Sequence, residues 1–74
     1  FKLYQRKNQE VLAKKYQEAQ HLQQHGRLNE AKELYTEILE HVPDHSDALH
    51  FLGLIHFQQG NLDKAEQLFE DQLK

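Results

Sequence analysis

Seventy-four residues with a formal charge of −3, 38% hydrophobic and 28% charged, leave room for one small hydrophobic core and no second domain. That size rules out most enzymes, and the balance suits a surface-rich helical module better than a deep pocket walled by the chain itself. Because cysteine is absent, disulfide frameworks, Cys-based zinc sites and thiol nucleophiles are excluded, so packing or neighbours must stabilise the fold.

Twelve Leu, ten Gln and many Glu, Lys and Ala are helix formers, whereas Val, Ile and Thr together number five, so an all-α fold is expected. The N-terminus has neither an initiator Met nor a signal-peptide apolar core, and the chain reads as a piece of something longer. No run approaches eighteen consecutive apolar residues, and no membrane partner is expected. Residues 1–15 carry five basic side chains against Glu10, while residues 16–74 carry four against eleven acidic ones. A mostly acidic body lacks the concentrated positive patch that phosphates require, so no nucleic-acid partner is expected.

Along the first predicted helix, Phe1, Tyr4, Val11, Leu12, Tyr16, Ala19 and Leu22 keep to related faces, with no Gly or Pro before Gly26. One long helix is expected there, the other reading being a separate short helix that breaks near Asn8. The second helix carries Leu28, Ala31, Leu34, Tyr35, Ile38 and Leu39 and ends at Pro43. Asp44-His45-Ser46-Asp47 offers caps for the third, with Ser46 the expected cap and Leu49, Leu52, Ile55 and Phe57 along the helix. After Gly60 the fourth carries Leu62, Ala65, Leu68 and Phe69.

Gly26 and Gly60 lie 34 residues apart, and the same shift superposes Gln24 on Gln58, Leu28 on Leu62, Ala31 on Ala65, Leu34 on Leu68 and Leu39 on Leu73. Tyr35 falls on Phe69. Such a period marks a repeated structural unit, and a helix–turn–helix hairpin accounts for each matched position. The glycines close the first helix of each pair at positive φ, and Asn29 and Asp63 are expected to cap the second, with Asp63-x-x-Glu66 as a capping box. Ala31 and Ala65 are small where helices approach, and Tyr35 and Phe69, four residues on, are ring wedges on the same face.

These residues resemble the tetratricopeptide repeat (TPR) family, whose unit is 34 residues of paired antiparallel helices. The second copy matches through Leu49, Leu52-Gly53, Phe57, Gly60, Leu62, Ala65 and Phe69, and the first through Ala19, Leu22, Gly26, Leu28, Ala31, Tyr35 and Pro43. The resemblance implies a TPR-like α–α superhelix of antiparallel hairpins: an N-terminal helical extension at 1–11, a first repeat at 12–45 and a second at 46–74, truncated at its C-terminal end. Lys15 and Glu18 stand where the family has early hydrophobic residues. They could pair with each other, and with no preceding helix expected to pack there, residues 12–45 are expected to be the first repeat of an array. His56 and Gln72 are polar where the family often has an aromatic and a small residue.

By the same resemblance, the first helix of each pair lines a concave groove for an extended peptide or a partner helix. The groove positions are Ala13, Tyr16, Gln20, Gln23 and Gln24 in the first copy and Asp47, His50, Leu54, Phe57 and Gln58 in the second. Gln side chains donate and accept toward a peptide backbone, and Tyr16 or Phe57 would anchor an apolar side chain; the alternative is that the Gln are solvated surface. Tyr16, Gln20 and Phe51 stand where chaperone-binding members hold a terminal carboxylate with Lys and Asn, so that subtype is not expected.

His21 and His25 are four apart, and His41 and His45 flank Pro43, but two imidazoles are half a zinc site, so no metal and no cofactor are expected. Six histidines would swing the chain from −3 to +3 if all protonated, which suggests pH-sensitive association as a secondary reading. No phosphate loop or nucleophile elbow is present and no catalytic residue is assigned. The expected role is a protein-interaction scaffold or oligomerisation element. The alternative is an accessory region of an enzyme, because Ala48 to Ile55 resembles TPR segments ahead of bacterial glycosyltransferase or sulfotransferase domains. Two repeats fall short of the roughly three a stable stack needs, so Leu68, Phe69 and Leu73 are expected to support a homodimer.

Overall fold

A computed structural model describes residues 2–73, with side chains from Glu10 to Leu73. Four helices follow one another: α1 (Lys2–Gln24), α2 (Leu28–His41), α3 (Ser46–Gln58) and α4 (Leu62–Leu73). The single-helix reading of the N-terminal segment is the one that forms, because α1 runs through Asn8 unbroken. Phe1 and the side chain of Tyr4, which open the predicted apolar stripe, lie outside the described residues. At about 1.5 Å per residue, α1 outreaches the 14-residue α2 by roughly nine residues, and its N-terminal part overhangs the hairpin.

Both hairpin turns are built the same way. Gly26 has φ 77° and Gly60 φ 83°, the left-handed conformation only glycine adopts without a Cβ clash. The Arg27 amide donates to the Leu22 carbonyl at 2.9 Å and the Gly26 amide to that of Gln23 at 3.1 Å; the Asn61 amide to His56 at 2.8 Å and the Gly60 amide to Phe57 at 3.1 Å repeat the pattern. This paired bonding is a Schellman closure, which satisfies carbonyls that a helix end would otherwise leave orphaned.

The helix starts differ from expectation. The Schellman turn delivers the chain into the next helix within one residue, so α2 begins at Leu28 and α4 at Leu62, and Asn29 and Asp63 lie inside the first turn instead of before it. Arg27 occupies the cap position of α2 without a side-chain cap bond and pairs with Glu30 at 2.7 Å. Asn29 instead accepts from the Gln59 amide at 2.9 Å, tying the start of α2 to the end of α3. At α3 the cap is His45, not Ser46: His45 Nδ1 accepts from the Ala48 amide at 3.1 Å, a bond of the kind that stabilises a helix by about 1 kcal/mol. Ser46 is the first helical residue, and its Oγ accepts from Gln72 at 3.3 Å, so the polar residue at position 72 joins α4 to α3.

Packing follows chain order, α1 on α2, α2 on α3 and α3 on α4, in a slab with Cα extents of 42 × 30 × 13 Å. The core holds Ala19, Ala31, Tyr35, Ile38, Ala48, Leu49, Leu52, Ile55, Ala65 and Leu68, all buried. The small-beside-large pairing is tight: a Cβ on Gly53 would lie 2.6 Å from Phe69 Cε1. Lys15 pairs with Glu37 at 2.7 Å, not with Glu18. Its ammonium reaches across to α2, whereas Glu18 is exposed on α1.

Candidate protein-binding surface

The residues expected to line a groove on the first helices separate into three environments. Around Tyr16 the chain forms a shallow hollow lined by Leu12, Ala13, Tyr16, Val42, His45 and Asp47. The Tyr16 ring lies 5.6 Å from that of His45, 6.2 Å from Tyr35 and 6.2 Å from Phe51. Gln20 Nε2 donates to the Tyr16 hydroxyl at 3.3 Å. Burial first, and then the neighbouring Asp47 carboxylate, push that hydroxyl above its ordinary range. Asp47 and Ala13 are exposed, so this hollow combines an aromatic wall with an open carboxylate. Leu12, Val42 and His45 complete it although sequence reasoning had not placed them in a groove. They meet there because the α2–α3 connection folds back beside α1.

Gln23 serves the fold, since its Oε1 accepts from the buried Tyr35 hydroxyl at 2.9 Å, while Gln24 is exposed. On α3, the His50 ring lies 5.4 Å from Phe51 and 6.0 Å from Phe69, and Leu54 is half-buried. Phe57 and Gln58 are exposed at the end of α3. Phe57 joins a second, strongly apolar hollow with Leu62, Ala65, Glu66, Phe69, Glu70 and Leu73.

Of the three residues expected to drive self-association, Leu68 is buried in the core. The face of α4 that packs on α3 carries Leu68 and one side of the Phe69 ring, which meets Gly53, and the hollow is walled by Ala65, Phe69 and Leu73 together with Phe57 and Leu62. Leu73 is 88% exposed, Phe57 59% and Leu62 58%, an apolar surface uncovered among the described residues.

The histidines spread over unrelated roles. The His21 and His25 rings lie 4.2 Å apart and tilted, with His25 Nδ1 2.9 Å from the His21 carbonyl, and His41 is exposed. Among the described residues, no three His, Asp or Glu side chains converge to hold a metal ion. His56 lies 3.3 Å from Asn61 Nδ2; burial first, then Lys32 on α2 and Lys64 on α4, lower its pKa.

Burial, with Tyr16 beside it, pushes the Tyr35 hydroxyl up to about 12. Its folded-state pKa thus exceeds the ordinary value of about 10, so the associated stability is complete below pH 10 and is lost as pH rises from 10 to 12. The urea midpoint read by circular dichroism is expected to fall between pH 9 and 11.5, and to fall less in Tyr35→Phe. Equal drops in both proteins would contradict this assignment.

Among the described residues, four helices arranged as two equivalent hairpins, with matching glycine closures and an apolar core, define a helical repeat protein. Residues 16–73 match the family model for the tetratricopeptide repeat, and the chain belongs to that family. Repeats of this family generally mediate protein–protein interaction. No curated protein and no solved structure matches the chain. No helix among the described residues is long and apolar enough to cross a membrane.

Proposed function

We propose that this chain is a protein-binding scaffold of two repeats, 12–45 and 46–74, with residues 1–11 as an extension, and that its α1–α3 side holds an extended peptide or a partner helix. The observation that supports it is the hollow around Tyr16, where an aromatic wall and the apolar Leu12 and Val42 stand beside the exposed Asp47. An apolar anchor against a ring, with a charged or amide group at the rim, is the arrangement that concentrates binding energy in few contacts. Gln20 and Gln23 contribute by holding the two tyrosines in place, and Gln24 and Gln58 are left to meet a peptide backbone.

The test uses substitutions that leave the core alone. Ala13→Arg combined with Asp47→Arg should abolish capture of a partner that the wild-type chain retains. Glu40→Arg, an exposed substitution on α2, should leave capture intact. If the Ala13/Asp47 variant bound as well as wild type, the partner would not occupy this side of the molecule. The uncovered surface of Phe57, Leu62, Phe69 and Leu73 supports a second contact, self-association of the chain through its C-terminal hairpin.

A further inference from the structure

We propose that the apolar hollow on α4 is the docking site for residues 2–11 of a second copy of this chain, an inference that rests on the self-association reading above. The large apolar side chains exposed among the described residues are Val11, Phe57, Leu62 and Leu73. The last three border the hollow and the first lies at the base of the α1 overhang, so the uncovered apolar surface is concentrated in two places.

Charge distinguishes the two. The hollow is rimmed by Glu66 and Glu70, and α4 carries Asp63, Glu66, Glu70 and Asp71 against Lys64 alone. Residues 2–11 carry Lys2, Arg6 and Lys7 against Glu10, with Leu3, Tyr4 and Val11 recurring at helical spacing. A segment carrying both basic and apolar residues is the complement of an acid-rimmed apolar trough, while two acid-rimmed troughs facing each other would repel. Length agrees as well. The overhang of roughly nine residues spans about 14 Å, and the 12-residue α4 about 18 Å.

The contact must form between copies. In the packing order α1, α2, α3, α4, the overhang and the hollow belong to opposite ends of the slab, and α1 is one unbroken helix that cannot fold back. The partner's basic segment therefore covers Leu62, Phe69 and Leu73, and attraction across the rim sets its register.

Sedimentation equilibrium of the 74-residue chain tests this with two charge reversals, Glu66→Lys/Glu70→Lys and Arg6→Glu/Lys7→Glu. Each variant alone should associate about tenfold more weakly than wild type, or worse, with unchanged helical circular dichroism. An equimolar mixture of the two should associate again, because each then offers a segment complementary to the other's trough. Raising salt should weaken the wild-type contact. If Arg6→Glu/Lys7→Glu associated like wild type, or the mixture stayed as weak as its components, docking of this segment would be overturned while self-association stood. A wild-type chain that remained monomeric at the highest concentrations would overturn both.

Discussion

Tyr35→Ala is expected to leave the chain largely unfolded at room temperature. The side chain is wholly buried, stacked at 6.0 Å on Phe51 and edge-on to Tyr16 at 6.2 Å, with its hydroxyl satisfied by Gln23. Removing a buried aromatic ring costs about 3–5 kcal/mol, and a domain of this size has a net stability of about the same magnitude. Tyr35→Phe keeps the ring and loses one hydrogen bond, whose other partner is half-buried and regains water, so it should cost about 1 kcal/mol. Urea titration followed by circular dichroism separates these outcomes. A Tyr35→Ala chain with a wild-type midpoint would mean that the two hairpins are not held together through this ring.

The Gly53–Phe69 contact should produce a change of sign. In the wild-type background Gly53→Ala gains up to about 1 kcal/mol of helix propensity but forces the Phe69 ring off its seat, since the new Cβ would lie 2.6 Å from Cε1. Overpacking of this kind costs about 1–3 kcal/mol, so net destabilisation of about 1 kcal/mol is expected. Phe69→Ala alone should cost about 2–3 kcal/mol, somewhat less than a fully buried ring, because Phe69 is half-exposed. In that background the clash is gone and only the propensity gain remains, so adding Gly53→Ala should stabilise by about 0.5–1 kcal/mol. The four urea midpoints of this cycle decide the matter. The same sign in both backgrounds would refute a glycine held in place by the ring.

Both expectations begin from positions that the 34-residue period already singles out, Tyr35 and Phe69, and the period carries much of the fold. Helix content, the breaks at Gly26, Pro43 and Gly60, the positive φ of the two glycines and the burial of Ala31 and Ala65 were legible, because each depends on near neighbours along the chain. The helix starts were less legible. Asn29 and Asp63 have the chemistry of caps, but the turn that precedes them completes its bonds one or two residues earlier, and a histidine supplied the cap at α3.

The candidate site was legible only as a set of positions on the first helices. Tyr16 and Gln20 did come together, whereas Gln23 turned to Tyr35, Phe57 joined the C-terminal hollow and Lys15 crossed to Glu37. Nothing within one helix specifies these outcomes, because they depend on the distance and rotation between helices, which the packing of the whole core sets. By itself the sequence determined the repeat, its turns and its family, which are written in local hydrogen bonding and hydrophobic spacing. Only the tertiary structure decided which polar groups hold the fold, that Leu68 lies inside while Leu73 stays outside, and that an acid-rimmed trough forms along α4, since each of these is a relation between elements distant in the chain.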